Sequence, residues 1–438
     1  MTSHLGELIS HLTGVPILIW GARMTGLGLV RLCRTHGIRV QGFIDSDPAF
    51  AGKQIAGLIC HRPADLPQLR AQQPDLRIIV AASTKEEEIN ERLLTLGFSP
   101  QHFINYSNYC DLFYTVDVMG TCNLKCLSCA HGAGGEKYTR GQMSLETYKQ
   151  VIDKIISEND VVTHISLYSW GEPFLNPALA EMVAYLHQHG IAAALSSNLS
   201  IKNELLLRKV MQQDPEYLKV SLSGYYPEAY NDTHSGGNIY LVRSNLLRLR
   251  YYIDKYRLNT IVDVNYHLYN NNNQLNLQKM QELCDELGFS LSKTYALVMP
   301  LERAIEKLEG RPSPSTLILE KKLLVNIKEG VRAANSAEHP SDQTNAIQTS
   351  CPFLENQTII NWDLSVPICC TTFNRGTNII AANFLTASRT KIAQNKQTAA
   401  ICNTCMKHGL PAYNLGLNRG EWEAIAATKT STDLSQSS

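Results

Sequence analysis

Residues 121–132 read TCNLKCLSCAHG, and the rest of the chain is best read outward from them. They place Cys122, Cys126 and Cys129 in a C-x3-C-x2-C pattern directly after the strand-like run LFYTVDVMG (112–120). Three soft thiolates on one short loop can wrap a single soft metal centre. A structural zinc needs a fourth Cys or His nearby, and His131 is the residue that would supply it. A four-iron cluster on three ligands would instead keep one iron open to a small molecule.

Around this loop, strand and helix patterns alternate. Candidate strands are HISLYSWG (164–171), IAAALSSN (191–198), YLKVSLSG (217–224) and TIVDVNYHLY (260–269). Helical runs such as SLETYKQVIDKII (144–156) and LQKMQELCDELG (277–288) lie between them. So long a run of βα units predicts a barrel or partial barrel over 108–335, with its functional loops at the carboxyl ends of the strands. Residues 1–107 alternate on a smaller scale. VPILIWG (15–21), VQGFID (40–45) and RIIVAAS (77–83) read as strands, and RMTGLGLVRLCRTHG (23–37) and TKEEEINERLLTLG (84–97) as helices. They predict a small parallel α/β domain. The polar stretch 331–350 reads as a linker, 336–425 as a cysteine-bearing module, and 426–438 as a disordered tail with little to bury.

The 438 residues carry 40 basic and 40 acidic side chains, so no net charge draws the chain to nucleic acid or to an anionic membrane. No segment reaches the ~20 apolar residues of a membrane span. The opening MTSHLGELISHLTG lacks the basic and apolar regions of a secretory signal. The expectation is a cytoplasmic protein without nucleic-acid or membrane partners. In that compartment 12 cysteines point to metal ligands or inert thiols rather than disulfides. Cys33, Cys60, Cys110 and Cys284 are scattered and read as small buried hydrophobes. The other eight form two groups. In the second, CPFLENQTIINWDLSVPICC (351–370) and ICNTC (401–405) offer Cys351, Cys369 or Cys370, Cys402 and Cys405 to one centre. Zinc suits four such thiolates as well as iron–sulfur does.

The first loop, together with the segments downstream of it, resembles the radical S-adenosylmethionine (SAM) superfamily. SLYSWGEPFLNP (166–177) carries Gly171, Glu172 and Pro173, similar to the family's Gly-Glu-Pro motif, with Trp170 where a first glycine is common. LSSNLS (195–200) is similar to its Ser/Thr-Asn segment through Ser196, Ser197 and Asn198. VSLSG (220–224) and HSGGN (234–238) resemble two further segments, with Ser223 in place of Asp and His234 in place of Arg. The resemblance implies a [4Fe-4S] cluster on Cys122, Cys126 and Cys129, its free iron chelating SAM. Gly171, Glu172, Pro173, Ser197, Asn198 and Ser221 would contact that SAM. Reductive cleavage would yield a 5′-deoxyadenosyl radical that abstracts hydrogen from a C–H bond. The electron would come from a flavodoxin- or ferredoxin-type donor. The side chains that complete the reaction are not announced, and Tyr168, His234 and Tyr266 read as packing or as surroundings of SAM.

The second cysteine group resembles the SPASM module appended to many members of that superfamily. INWDLSVPIC (360–369) matches its hairpin, with Leu364 where a turn glycine is usual. The resemblance implies one auxiliary [4Fe-4S] cluster. At the amino end, GARMTGLG (21–28) follows a strand and opens a helix as a dinucleotide fingerprint does, with Arg23 at the second glycine and Asp45 at the ribose-binding acid. GFIDSDPAFAGKQIAGLIC (42–60) resembles the Rossmann-like domain of sugar acyltransferases, which implies a nucleotide or nucleotide-sugar ligand. The fold expected is therefore α/β: a Rossmann-like parallel sheet, a partial (βα)6 TIM barrel and a small SPASM/twitch Fe–S module. The function expected is a radical SAM/SPASM oxidoreductase that oxidises or epimerises a carbohydrate-type or other small molecule. Alternatives are a peptide- or protein-modifying maturase and a non-catalytic, zinc-bound binding module.

Overall fold

The computed structural model describes residues 3–82, 85–110, 112–133, 140–336 and 351–435. Its amino-terminal sheet contains β1 (Ile17–Trp20), β2 (Val40–Ile44), β3 (Gln54–Ile55), β4 (Leu58–His61), β5 (Arg77–Val80) and β6 (Phe103–Asn105). The order is β3-β4-β2-β1-β5-β6, and every pairing is parallel except β3 with β4. Ile17 and Ile19 of β1 face one apolar core while Leu18 and Trp20 face another. A strand buried on both faces has to be apolar throughout, which is why VPILIWG shows no alternation. The two-residue β3, its short neighbour β4 and the three-residue β6 at the opposite edge carry too little pattern to be read from sequence.

The central sheet uses β7 (Phe113–Val116), β8 (His164–Ser166), β9 (Ala192–Ser197), β10 (Tyr217–Leu222), β11 (Ile261–Leu268), β12 (Ser290–Tyr295) and β13 (Gln357–Ile360). All pairings are parallel, in the order β12-β11-β10-β9-β8-β7-β13. The first six are strands of βα units. The seventh comes from the cysteine-bearing segment, which therefore supplies the edge strand beside β7 instead of standing apart. A short antiparallel ribbon, β14 (Val366–Pro367) with β15 (Ile379–Ala381), comes after it. Leu364, in the turn before β14, has φ 70°, the left-handed conformation that glycine usually takes there. Its side chain packs on the central core in return.

Residues of the central strands alternate between two environments. Leu195, Leu218, Val220, Val262 and Val264 join the core beneath the helices. Ser196, Lys219, Ser221, Asn265 and His267 have the opposite parity, face inward and are partly exposed. Lower on that inner face, Ala194 and Tyr217 belong to the apolar cluster of the amino-terminal domain. What fills the space is the helix Met24–Thr35, which packs on its own sheet and on β8 and β9. Gly28 permits the approach: a Cβ there would lie 2.6 Å from the Thr163 carbonyl oxygen. At the lower end, Arg31 donates to Glu216 at 2.5 Å, and His187 stands 3.1 Å from the same carboxylate.

The helix Arg419–Ser435 runs through most of the stretch expected to be a disordered tail. Trp422 anchors it, stacked on Tyr295 at 5.3 Å and on Tyr413 at 5.7 Å. Of the expected linker, residues 331–334 belong to the helix Ile327–Ala334, and residues 337–350 lie outside the described residues. Cys33, Cys60, Cys110 and Cys284 are all buried. Among the described residues no helix is long and apolar enough to cross a membrane.

Candidate active site

The cysteine loop leaves β7 at its carboxyl end and is held by backbone bonds on its far side. Lys125 N–H donates to Ser235 C=O at 2.9 Å and Leu127 N–H to Thr233 C=O at 3.1 Å. The HSGGN segment is thus a brace for the loop. Its own side chains turn inward: Ser223 Oγ lies 2.7 Å from His234 Nδ1, and Tyr230 stacks on the imidazole at 4.9 Å. Burial pulls His234 down to about 3, so its ring is neutral. Arg303, buried, donates to Leu127 C=O at 2.9 Å and to Thr316 Oγ1 at 3.0 Å. The charge of Arg303 also favours the Cys129 thiolate.

Glu172 is the hub of the opposite side. It is 2% exposed and accepts from Phe174 N–H at 3.1 Å, Ser197 Oγ at 2.9 Å and Asn198 N–H at 2.8 Å. Burial lifts its carboxyl to about 7 against those three donors. Asn198 carries the chain of contacts on: its Nδ2 donates to Asn123 Oδ1 at 2.9 Å and lies 3.7 Å from Cys122 Sγ. Gly171 sits where a Cβ would overlap the Met119 carbonyl oxygen at 1.4 Å, so no other residue fits. Pro173 opens the short turn Pro173–Leu175. Gly171, Glu172, Pro173, Ser197 and Asn198 therefore meet the cysteine loop in one place. Ser221 stands apart on the inner face, 3.5 Å from Ser196. Asp117, which the sequence pattern did not single out, is buried just past β7 and accepts from the N–H groups of Gly171, Trp170, Met119 and Ser169. Burial raises it to about 7 despite those bonds. A lone Asp in an apolar strand was the signal.

The three thiols suit a cluster by their chemistry. Burial pushes Cys122 up to about 12, with Glu172 adding to the rise, and pushes Cys126 and Cys129 up as well. Leu124 N–H at 3.4 Å is already aimed at Cys122 Sγ, the donor a thiolate ligand needs. His131 turns elsewhere, its ring edge-on to Phe373 at 5.8 Å. Among the described residues no three His, Cys, Asp or Glu side chains close on one point as a single ion requires. A four-iron cube is larger than an ion, and its thiolates stand further apart.

The second group surrounds a cavity of about 210 Å³ lined by Cys351, Cys369, Cys402 and Cys405 together with Phe353 and Ile368. Burial raises all four thiols, Cys402 to about 11, and Cys351 and Cys369 interact with both of the others. Cys370 does not line that cavity. Burial raises its thiol too, and the charges acting on it include Lys219 of the barrel's inner face. Of the doublet, only Cys369 lines the cavity. Trp170, in the place of the missing glycine, joins the two halves: its indole N–H donates to Thr372 C=O at 3.2 Å.

The upper inner face is polar. Lys219 Nζ lies 4.9 Å from the centre of the Tyr168 ring, and the Tyr168 hydroxyl is 3.6 Å from Met24 Sδ. Burial lowers His267 to about 4, with Lys219 adding to the effect. Tyr266, by contrast, is packing, its hydroxyl bonded to Asn272 C=O at 2.8 Å. In the amino-terminal domain, the groups of the expected dinucleotide site are engaged internally. Asp45 accepts from Ala22 N–H at 3.0 Å, and Arg23 pairs with Asp47 at 2.7 Å while reaching Ser292 at 3.1 Å. Gly26 does what the third glycine of the fingerprint does, a Cβ there overlapping Gly21 C=O at 1.9 Å.

Comparison with known proteins found two relatives in Methanosarcina barkeri (strain Fusaro). The chain is 29% identical to an Fe-coproporphyrin III synthase over 28% of its own length and 30% of that protein. It is 26% identical to an AdoMet-dependent heme synthase over 45% of its length and 54% of that protein. Each match thus spans under two thirds of the relative. No family model matches. Among solved structures, anSMEcpe with bound AdoMet overlaps 66% of the chain and 79% of that structure, at 15% identity and TM-score 0.44. SuiB of Streptococcus suis bound to S-adenosylmethionine overlaps 74% of the chain and 83% of that structure, at 10% identity and TM-score 0.46. BtrN in complex with AdoMet and 2-DOIA overlaps 68% of the chain and 89% of that structure, at 16% identity and TM-score 0.37.

Proposed function

We propose, for a chain that belongs to the radical SAM superfamily, that it cleaves SAM reductively at the Cys122–Cys126–Cys129 loop and takes hydrogen from a small polar substrate held on the inner face of the barrel. The observation that carries the reading is the continuous set of contacts from Glu172 through Ser197 and Asn198 to Cys122. When bound, the cluster supplies the electron that splits SAM into methionine and a 5′-deoxyadenosyl radical. The protein's part is placement. The Glu172 carboxylate fixes the Ser197–Asn198 turn against the cysteine loop, and a cation such as the SAM ammonium would offset the burial that raises it. Trp170 holds the SPASM-type segment over the site, where Cys351, Cys369, Cys402 and Cys405 would hold an auxiliary four-iron centre able to take up an electron.

The inner face supports the choice of substrate class. Tyr168, Ser196, Lys219, Ser221, Asn265 and His267 offer hydroxyl, amide, imidazole and cationic groups, as a hydroxylated or anionic small molecule requires. The Rossmann-like domain packs its helix Met24–Thr35 into the lower inner face, and we assign it the role of a wall instead of a nucleotide site. The electron donor fits a flavodoxin- or ferredoxin-type partner in a cytoplasmic setting.

The test is anaerobic purification with iron and sulfide counting, then SAM and dithionite with detection of 5′-deoxyadenosine, for the wild type and Cys126→Ala. About eight irons per chain and deoxyadenosine that disappears in the variant are expected. Zinc in place of iron would overturn the reading and leave the binding-module alternative standing.

A further inference from the structure

Beside the second cysteine group lies a charge that no carboxylate among the described residues answers. Lys396, in the last turn of the helix Arg389–Gln397, is only 4% exposed. Its ammonium donates to the Gln357 carbonyl and, at 3.4 Å, to Thr358 Oγ1, both neutral partners on β13. Among the described residues Lys396 forms no ion pair with a carboxylate. Glu355, which acts on Cys351, is exposed and therefore screened by water. A buried ammonium without a counter-charge is costly, and structures that keep one normally provide an anion. Burial lowers this ammonium to about 8, against Cys369, Cys351 and Cys402, which raise it; Lys396 in turn lowers Cys351 and Cys402.

Helix and strand enforce the placement. β13 continues directly from the helix Pro352–Asn356 that follows Cys351, and Lys396 precedes the helix Ala400–Lys407 that carries Cys402 and Cys405. The lysine stem is thus clamped between the two segments that supply three of the four thiols. A four-thiolate iron–sulfur centre is anionic, and reduction adds one more negative charge to it. A fixed positive charge in a low-dielectric setting favours that added charge.

We propose that Lys396 is the counter-ion of the auxiliary centre and holds its reduction potential up. The proposal rests on the reading above, in which Cys351, Cys369, Cys402 and Cys405 hold a four-iron cluster. The experiment uses the full chain with Cys122, Cys126 and Cys129 all changed to Ala, so that only the auxiliary centre gives a signal. Into this background go Lys396→Met and Lys396→Arg. Each protein is reconstituted anaerobically, its iron and sulfide are counted, and its midpoint potential is read by a redox titration followed by electron paramagnetic resonance.

With about four irons in each protein, Lys396→Met is expected to be harder to reduce. The expected change is at least tenfold in the ratio of reduced to oxidised centre at a fixed potential, or 59 mV for one electron. Lys396→Arg should stay near the background value. Iron lost from Lys396→Met but kept by Lys396→Arg would also support the charge, because it would then be needed to hold the anion at all. A fully loaded Lys396→Met with an unchanged potential overturns the proposal and leaves the auxiliary centre intact, as does an equal shift in Lys396→Arg. A background protein that binds no iron, or binds zinc, overturns the underlying reading and the proposal with it.

Discussion

Cys369 and Cys370 share a peptide bond, yet only the Cys369 thiol lines the four-cysteine cavity. Cys369→Ala should therefore lose about half of the bound iron while Cys370→Ala keeps it, as iron counting on anaerobic protein would read. Glu172 allows a second prediction at this scale. In Glu172→Gln an amide N–H₂ is forced against the N–H groups of Phe174 or Asn198 or against the Ser197 hydroxyl. Thermal unfolding should show a loss of about 1–3 kcal/mol, and 5′-deoxyadenosine formation should drop at least tenfold. Glu172, Ser197 and Asn198 were legible as motif residues, but not their bonds to one another. Asp117 gave one signal, a lone carboxylate in an apolar strand, while Arg303 and Lys396 were not legible at all. A single charged residue in an apolar strand or on a helix looks solvated in sequence, and only its burial marks it as part of a site.

At the scale of elements, the helix Met24–Thr35 decides how the two sheets meet. Gly28→Leu would drive a side chain into the Thr163 backbone, and the thermal midpoint should fall by the equivalent of about 1–3 kcal/mol. The seam also titrates. Burial raises the Glu216 carboxyl, but His187, Arg31 and the Ala193 N–H outweigh it and leave it below its ordinary value. A depressed folded pKa contributes stability above the unfolded value, and that stability is lost as pH falls through the folded one. Glu216→Gln should thus be less stable than wild type near pH 7, and should lose less on going from about pH 5 to pH 3, as urea unfolding would measure. Most strands from β7 to β11 could be read because apolar and polar faces alternate or because the run is continuous. SLSKTY of β12 hides its parity among polar residues, and the pairing of β13 with β7 links segments that no local pattern connects. In GARMTGLG the helix and its close-packed Gly26 were legible. The use of Arg23 and Met24 against another sheet was not, because that partner lies far along the chain.

For the molecule as a whole, the carboxyl-terminal helix closes onto the barrel through Trp422. Gly330 presses against its ring, where a Cβ would lie 2.6 Å away. Trp422→Ala should cost about 3–5 kcal/mol in chemical denaturation and loosen the helix that carries Cys402 and Cys405. The central sheet has a further consequence, in time rather than in space. β7 is made early, but its neighbour β13 lies beyond the whole run of βα units, so one side of the barrel's first strand stays bare until nearly the entire chain has left the ribosome. The bare strand belongs to the element that ends in the cysteine loop. During synthesis the strand that leads into the cysteine loop thus has one flank open, and the last sheet strand to arrive shuts it.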